Sequence, residues 1–191
     1  MSDVRASPGG DREVSVLHGP RGTVRVEPAE PRDIEPWMVL AAEVEHLFGP
    51  MIEEPEFERS VSRAIARGTA LCARVGDMAM DRLAGALLFS GGPDPYAIHW
   101  LAVAEGHRRR GIGRFLVERA CRRSPAYPCT VEVVTFGADH AGSSARRFYE
   151  RLGFVAAEIV ANGPDGGSRQ VYRLQRGARH GPVADPPLER T

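Results

Sequence analysis

Cysteine is scarce in this chain of 191 residues: Cys72, Cys121 and Cys129 are the only three, and no CxxC spacing occurs. So small and odd a set argues against a disulfide framework and against a structural zinc site; no metal is expected, and reduced thiols in the cytoplasm are the plain reading. Net charge is lacking too, since 25 basic and 25 acidic side chains cancel at pH 7. Binding to nucleic acid or a membrane surface through bulk charge is therefore not expected, and any basic patch has to be local. No stretch approaches the roughly 18 apolar residues that a membrane span requires. The opening MSDVRASPGGDREVSVLHGPRG has no unbroken apolar run and does not read as a secretory signal. There is no GxxxxGK[ST], which removes a P-loop. The one glycine loop of note does not fit GxGxxG, and no early βαβ unit precedes it, which argues against a dinucleotide fold.

What is present suits one globular domain, with hydrophobic residues at 42% of the chain. Residues 1–22 and 176–191 are rich in Gly, Pro and charge and read as flexible tails, leaving a domain over 23–175. Period and punctuation place the elements. TVRVEP alternates as a strand. RDIEPWMVLAAEVEHLF carries a helical stripe of Ile34, Trp37, Ala41, Val44 and Phe48, with Asp33 expected to cap it. EEPEFERSVSRAIARG is a second helix, with Pro55 in its first turn and Gly68 at its end. TALCARV and RLAGALLFS suit antiparallel strands, and GGPDP a turn. AIHWLAV, residues 97–103, reads as a nearly continuous, central strand. A helix follows, stopped by Ser124-Pro125. CTVEVVTF is the next strand. SSARRFYERLG is a helix with Ser143 as its expected cap and Ala145, Phe148, Tyr149 and Leu152 on one face. FVAAEIV and RQVYRLQ close as a hairpin. Residues 97–103 and 129–135 bracket a helix and should pair in parallel through a right-handed crossover, while the early strands should be antiparallel. The expected fold is α/β: a mixed, mostly antiparallel sheet with a central parallel pair and helices on both faces.

The stretch EGHRRRGIGRFLVERACRRS, residues 105–124, has a helical stripe of Ile112, Phe115, Leu116 and Ala120. Yet Arg108, Arg109, Arg110 and Arg114 crowd the end where the helix dipole is already positive and amide donors are unpaired. Gly111 and Gly113 let a bulky group approach the backbone. A bound pyrophosphate would make arginines and dipole both favourable.

At this point the residues resemble a known family. Arg108-x-x-Gly111-x-Gly113 after a strand is similar to the acetyl-CoA signature [QR]-x-x-G-x-[GA] of the GCN5-related N-acetyltransferases (GNAT). ARRFYERLGF, residues 145–154, resembles the same family's second motif. Both occur in order, on the matching elements, over roughly residues 23–175. The resemblance implies an acetyl-CoA-dependent N-acetyltransferase that moves an acetyl group to a primary amine of a small molecule or protein by direct transfer. It implies a splay between strands 97–103 and 129–135, with pantetheine in the gap. Cofactor holding would fall to Leu101, Ala102 and Val103 and to Arg108, Arg109, Arg110, Gly111, Ile112, Gly113 and Arg114.

The resemblance also assigns roles. Tyr149 matches the tyrosine that protonates the departing thiolate. Two positions compete for the base. Glu132 matches a glutamate of the protein-N-terminal branch, against an ion pair with a nearby arginine. His99 matches a histidine of the arylalkylamine branch, against a packed strand histidine. Gly142 departs from the pattern, which often has Asn there. Glu43, Glu45, Glu53 and Glu54, on the first helix and its connector, would attract a cationic amine, or be a solvated face. The alternative function is a non-catalytic acyl-CoA-binding regulatory module. The expected partners are acetyl-CoA and an amine acceptor, without nucleic acid or membrane, in a monomer or homodimer.

Overall fold

The computed structural model describes residues 14–19, 22–76, 82–90, 95–123 and 128–177. Eight strands form one sheet in the order β1-β2-β3-β4-β5-β6-β8-β7. They are β1 Ser15–Gly19, β2 Gly22–Pro28, β3 Ala70–Val75, β4 Gly85–Phe89, β5 Tyr96–Val103, β6 Cys129–Phe136, β7 Val155–Val160 and β8 Arg169–Arg176. All neighbours are antiparallel except β5 and β6. Four helices cover the sheet: α1 Ile34–Phe48, α2 Pro55–Ala66, α3 Ile112–Arg122 and α4 Ser144–Arg151. The mixed sheet, the single parallel pair and the two helical layers are those expected from the sequence.

Alternation along the strands divides the core in two. Leu71, Leu87 and Val131 face α3 and α4, where they join Ile112, Leu116 and Tyr149. Cys72, Ala86 and Leu88 face α1 and α2, where they join Trp37, Leu40 and Val61. Two-sided burial explains why the central strands read as apolar runs. Among the described residues, no helix is long and apolar enough to cross a membrane.

Four local differences from the sequence reading have physical causes. β1 lies within residues 1–22, read as a tail, and pairs with β2 from Ser15↔Val26 to Gly19↔Gly22. Asp33 precedes α1 but makes no side-chain cap. Its carboxylate accepts the Glu30 amide at 2.7 Å, in the short 3-10 turn before α1, and Arg74 Nη2 at 2.6 Å, because Arg74 is buried and needs a counter-charge. Ser143 likewise makes no side-chain cap. The carbonyls of Gly142 and Ser143 take up the amides of Ala145 and Arg146 at 3.0 Å. The fourth difference is a bulge in β5: Leu88 faces Trp100 while Phe89 faces Ile98, so His99 is the extra residue. Ile98 therefore joins the α3/α4 core and Trp100 the α1/α2 core. The stop at Ser124-Pro125, most of the GGPDP turn and most of both tails lie outside the described residues.

Candidate active site

The bulge bends β5, and its pairing with β6 ends there. Tyr96↔Val131, Ala97↔Glu132 and Ile98↔Val133 are the parallel pairs. From His99 to Val103 the edge of β5 toward β6 carries no ladder, so Leu101, Ala102 and Val103 present backbone groups to the gap. Such groups seek partners. The splay expected between these strands is therefore present, and the bulge is its local cause.

One 3-10 turn, Glu105–His107, leads from β5 to the arginine loop. Arg109 has φ 58°, and among the described residues it is the one non-glycine with positive φ. Gly111, at φ 81°, is the N-cap of α3. Left-handed backbone at a non-glycine costs energy and clusters at functional sites. Phe115 donates to Gly111 O at 2.9 Å, so helical bonding starts only there. The amides of Gly111, Ile112, Gly113 and Arg114 are the four donors a helix leaves unpaired. Arg108 Nε donates to Val103 O at 3.1 Å and ties the loop to the free end of β5. Arg114 pairs with Glu118 at 2.6 Å, one helical turn on. Gly113 packs so closely that a Cβ would stand 3.2 Å from the Phe148 ring of α4. That contact brings α4, and with it Tyr149, against the start of α3.

Tyr149 is buried beside Phe148 and Phe154, at ring distances of 5.0 and 5.3 Å. Burial pushes its phenol pKa well up, so it stays protonated. The other two tyrosines described are bound within the protein: Tyr96 donates to Ala120 O at 2.9 Å, and Tyr172 lies between Arg146 and Glu150. Among the described residues, nothing hydrogen-bonds the Tyr149 hydroxyl. It is a neutral donor held in place and left unpaired.

Neither expected base is a free buried group. Glu132 accepts from Arg173 Nε at 2.9 Å, and Arg173 also grips Glu158. The ion-pair reading of Glu132 therefore holds. His99 is exposed at the bulge rather than packed.

A groove of about 250 Å³ runs beside α3 and the end of α4, with Arg114, Glu118, Arg122, Arg151 and Arg176 among its walls. It joins the arginine loop through Arg114.

Residues 67–156 match the sequence profile described as Acetyltransferase (GNAT) domain. The chain carries a GNAT acetyltransferase domain. No curated protein matches the sequence. Solved structures do. A GNAT-family acetyltransferase from Bacillus cereus ATCC 10987 shares 18% identity at TM-score 0.64, covering 81% of this chain and 99% of its own. Arabidopsis thaliana Naa50, solved with a bisubstrate analogue built on CoA, shares 18% at TM-score 0.59, covering 79% and 97%. The ribosomal-protein-S18-alanine N-acetyltransferase of Escherichia coli shares 17% at TM-score 0.59, covering 84% and 99%. These likenesses establish a common fold.

Two further features lie beside the site. At Gly142 an added Cβ would lie 2.5 Å from the Phe136 ring, so the frequent Asn of this position cannot be accommodated. Phe136 is stacked on His140 at 4.4 Å, and the Arg169 guanidinium lies 4.8 Å from its centroid. His140 Nδ1 accepts from the Gly142 amide at 2.8 Å, which leaves Nε2 protonated to donate to Asp165. Burial opposes ionisation of Asp165, but hydrogen bonds from His140 and Arg169 outweigh it and hold the carboxyl below its usual range. This clip joins the β6–α4 loop to the β7–β8 loop. Gly142→Asn is expected to destabilise the fold by about 1–3 kcal/mol through overpacking, read as a lower midpoint in urea.

The acids of α1 are the second feature. Glu43 accepts from the Glu105 amide at the start of the arginine loop. Glu45 accepts from Met51 and Ile52 at 2.6 and 2.9 Å. The Ile52 and Met51 amides hold its carboxyl below the usual range. Both acids thus bind backbone. Glu53 and Glu54 are exposed.

Proposed function

We propose that this domain transfers an acetyl group from acetyl-CoA to a primary amine of a small molecule or protein, by direct attack. One observation carries the reading: Tyr149, with its ring buried and its protonated hydroxyl without a hydrogen-bond partner among the described residues, stands on the helix that packs against the arginine loop. The residues fit the cosubstrate. Loop amides from Gly111 to Arg114, with Arg109 and Arg110 beside them, suit a pyrophosphate. The unladdered edge at Leu101, Ala102 and Val103 suits the amides of a pantetheine arm. The arginine groove that continues from Arg114 suits the phosphorylated nucleotide end.

Acetyl-CoA supplies an acyl thioester when bound. The N–C bond forms, the C–S bond breaks, and the electron pair leaves on sulfur. Tyr149 gives its proton to that sulfur. A Val103 amide directed at the gap stabilises charge growing on the carbonyl oxygen. Most of the acceleration comes from holding both reactants in register along β5. The amine proton leaves through water at the mouth of the splay, where His99 and Glu132 are the groups able to relay it. The reduced, buried thiols fit a cytoplasmic setting. Burial pushes Cys72 up to about 12 and Cys121 up to about 11, so neither competes as a nucleophile.

The test is release of CoA thiol from acetyl-CoA on addition of a panel of primary amines. Amine-dependent, saturable release is expected. Binding of acetyl-CoA with no release by any amine would instead support the regulatory module. The glycine at 142, where the resemblance often has Asn, follows from the crowding of Phe136.

A further inference from the structure

We infer that the acceptor is an α-amino group carried by a bulky apolar residue, as at a peptide N-terminus, and not a lysine ε-amine or a polyamine. This rests on the acetyltransferase reading above. The splay opens on two faces of the sheet. The arginine loop and Tyr149 occupy the α3/α4 face, which leaves the α1/α2 face for the acceptor.

That second mouth is aromatic. Phe48, the last residue of α1, spans it: its ring lies 6.0 Å from Trp100 of β5 and 5.2 Å from Phe136 of β6. It therefore bridges the two strands that part below it. Phe57 of α2 stands edge-on to Trp100 at 5.8 Å. Phe48, Ile52 and Phe57 are only partly buried, so they offer apolar surface to whatever enters. The Trp100 indole N–H is buried without a hydrogen-bond partner among the described residues. Such a wall favours an apolar side chain next to the reacting amine.

The acids near this mouth do not offset that bias. Glu43 and Glu45 bind backbone amides, Glu132 is held by Arg173, and Asp165 by His140 and Arg169. Glu53 and Glu54 remain, but they are exposed and open to salt screening. Among the described residues, no buried carboxylate near this mouth is left to neutralise a polycation.

The amine's own acidity then decides. The nucleophile is the neutral amine. An α-amino group with pKa about 7.7–8.0 is roughly 9–17% neutral at pH 7, whereas a lysine amine at about 10.4 is roughly 0.04% neutral. The difference favours the α-amine by roughly 230- to 420-fold.

The full chain would be assayed by thiol release at pH 7 with short peptides of free N-terminus, an N-acetylated peptide with one lysine, and spermidine. The protein has no lysine, so its own side chains add no competing ε-amine. Peptides beginning with Met, Leu or Phe are expected to exceed the blocked lysine peptide and spermidine by about 100-fold or more in kcat/KM. They should exceed Ser- and Asp-first peptides by at least ten-fold, with rates levelling off above about pH 8. Equal or better turnover of the lysine peptide, spermidine or polar-first peptides would overturn the inference but leave the acetyltransferase reading intact. Silence with every amine would overturn both. Phe48→Ala should raise KM for Leu-first peptides about ten-fold without moving KM for acetyl-CoA, and Phe48→Leu should restore part of the loss. An unchanged peptide KM in Phe48→Ala would also overturn it.

Discussion

Replacing Tyr149 with phenylalanine is expected to lower kcat by about 10²–10⁴-fold, the usual range for loss of a positioned acid. The change removes one oxygen and keeps the ring that Phe148 and Phe154 hold. The hydroxyl has no protein partner among the described residues, so its removal breaks no recorded bond and stability should hardly change. KM for acetyl-CoA should also stay within about two-fold. Stopped-flow thiol release, with a denaturation curve on the same sample, checks all three. A kcat within three-fold of the parent would remove the acid role and leave Tyr149 as packing. Tyr172→Phe is the control. It breaks recorded bonds to Arg146 and Glu150, so it should cost stability more than rate.

The second large effect is on the fold. Arg74→Met is expected to destabilise the protein by about 3–5 kcal/mol, because it leaves Asp33 buried without its counter-charge. Asp33 and Arg74 are each 2% exposed. Arg74 Nη1 also reaches Glu27 at 3.1 Å and the Cys72 sulfur at 3.3 Å. For a chain of this size the melting temperature should fall by roughly 6–20 °C. Arg74→Met combined with Asp33→Leu should recover much of the loss, since an apolar replacement of both partners removes the stranded charge. Calorimetric melting of the two variants decides it. A single variant as stable as the parent would mean that water reaches Asp33.

This buried pair also shows where sequence reading stops. Asp33 stands where a cap belongs, and local pattern assigns it that work. Its counter-charge is 41 residues away, so nothing local reveals the ion pair. The β5 bulge is similar. AIHWLAV reads as one apolar strand, but only cross-strand register shows Ile98 and Trp100 turning to opposite cores around His99. β1 was hidden by its setting, since five residues of strand within a Gly- and Pro-rich stretch give a weak periodic signal. The His140–Asp165 clip joins positions 25 apart across two loops. By contrast, the helices, the parallel pair and the glycine loop were legible because each depends on short-range period and punctuation. Arg108, Gly111, Gly113 and Tyr149 were legible through motif spacing, and the structure brings them onto two packed helix ends. The two candidate bases were legible as positions but not as environments. Glu132 is engaged by an arginine from a strand that lies far along the chain, and His99 is turned to solvent.

Calorimetric titration of the purified chain with acetyl-CoA, and separately with S-acetylpantetheine, tests the central claim most directly. Both ligands carry the same thioester arm, and only the first carries the pyrophosphate and nucleotide. The account predicts saturable one-to-one binding of acetyl-CoA, weakened at least ten-fold by raised salt or by loss of the nucleotide, as an arginine and amide cradle requires. Equal affinity for the two ligands, or no binding at millimolar acetyl-CoA, would contradict it. The four arginines at the head of α3 would then be left without the anion that justifies them.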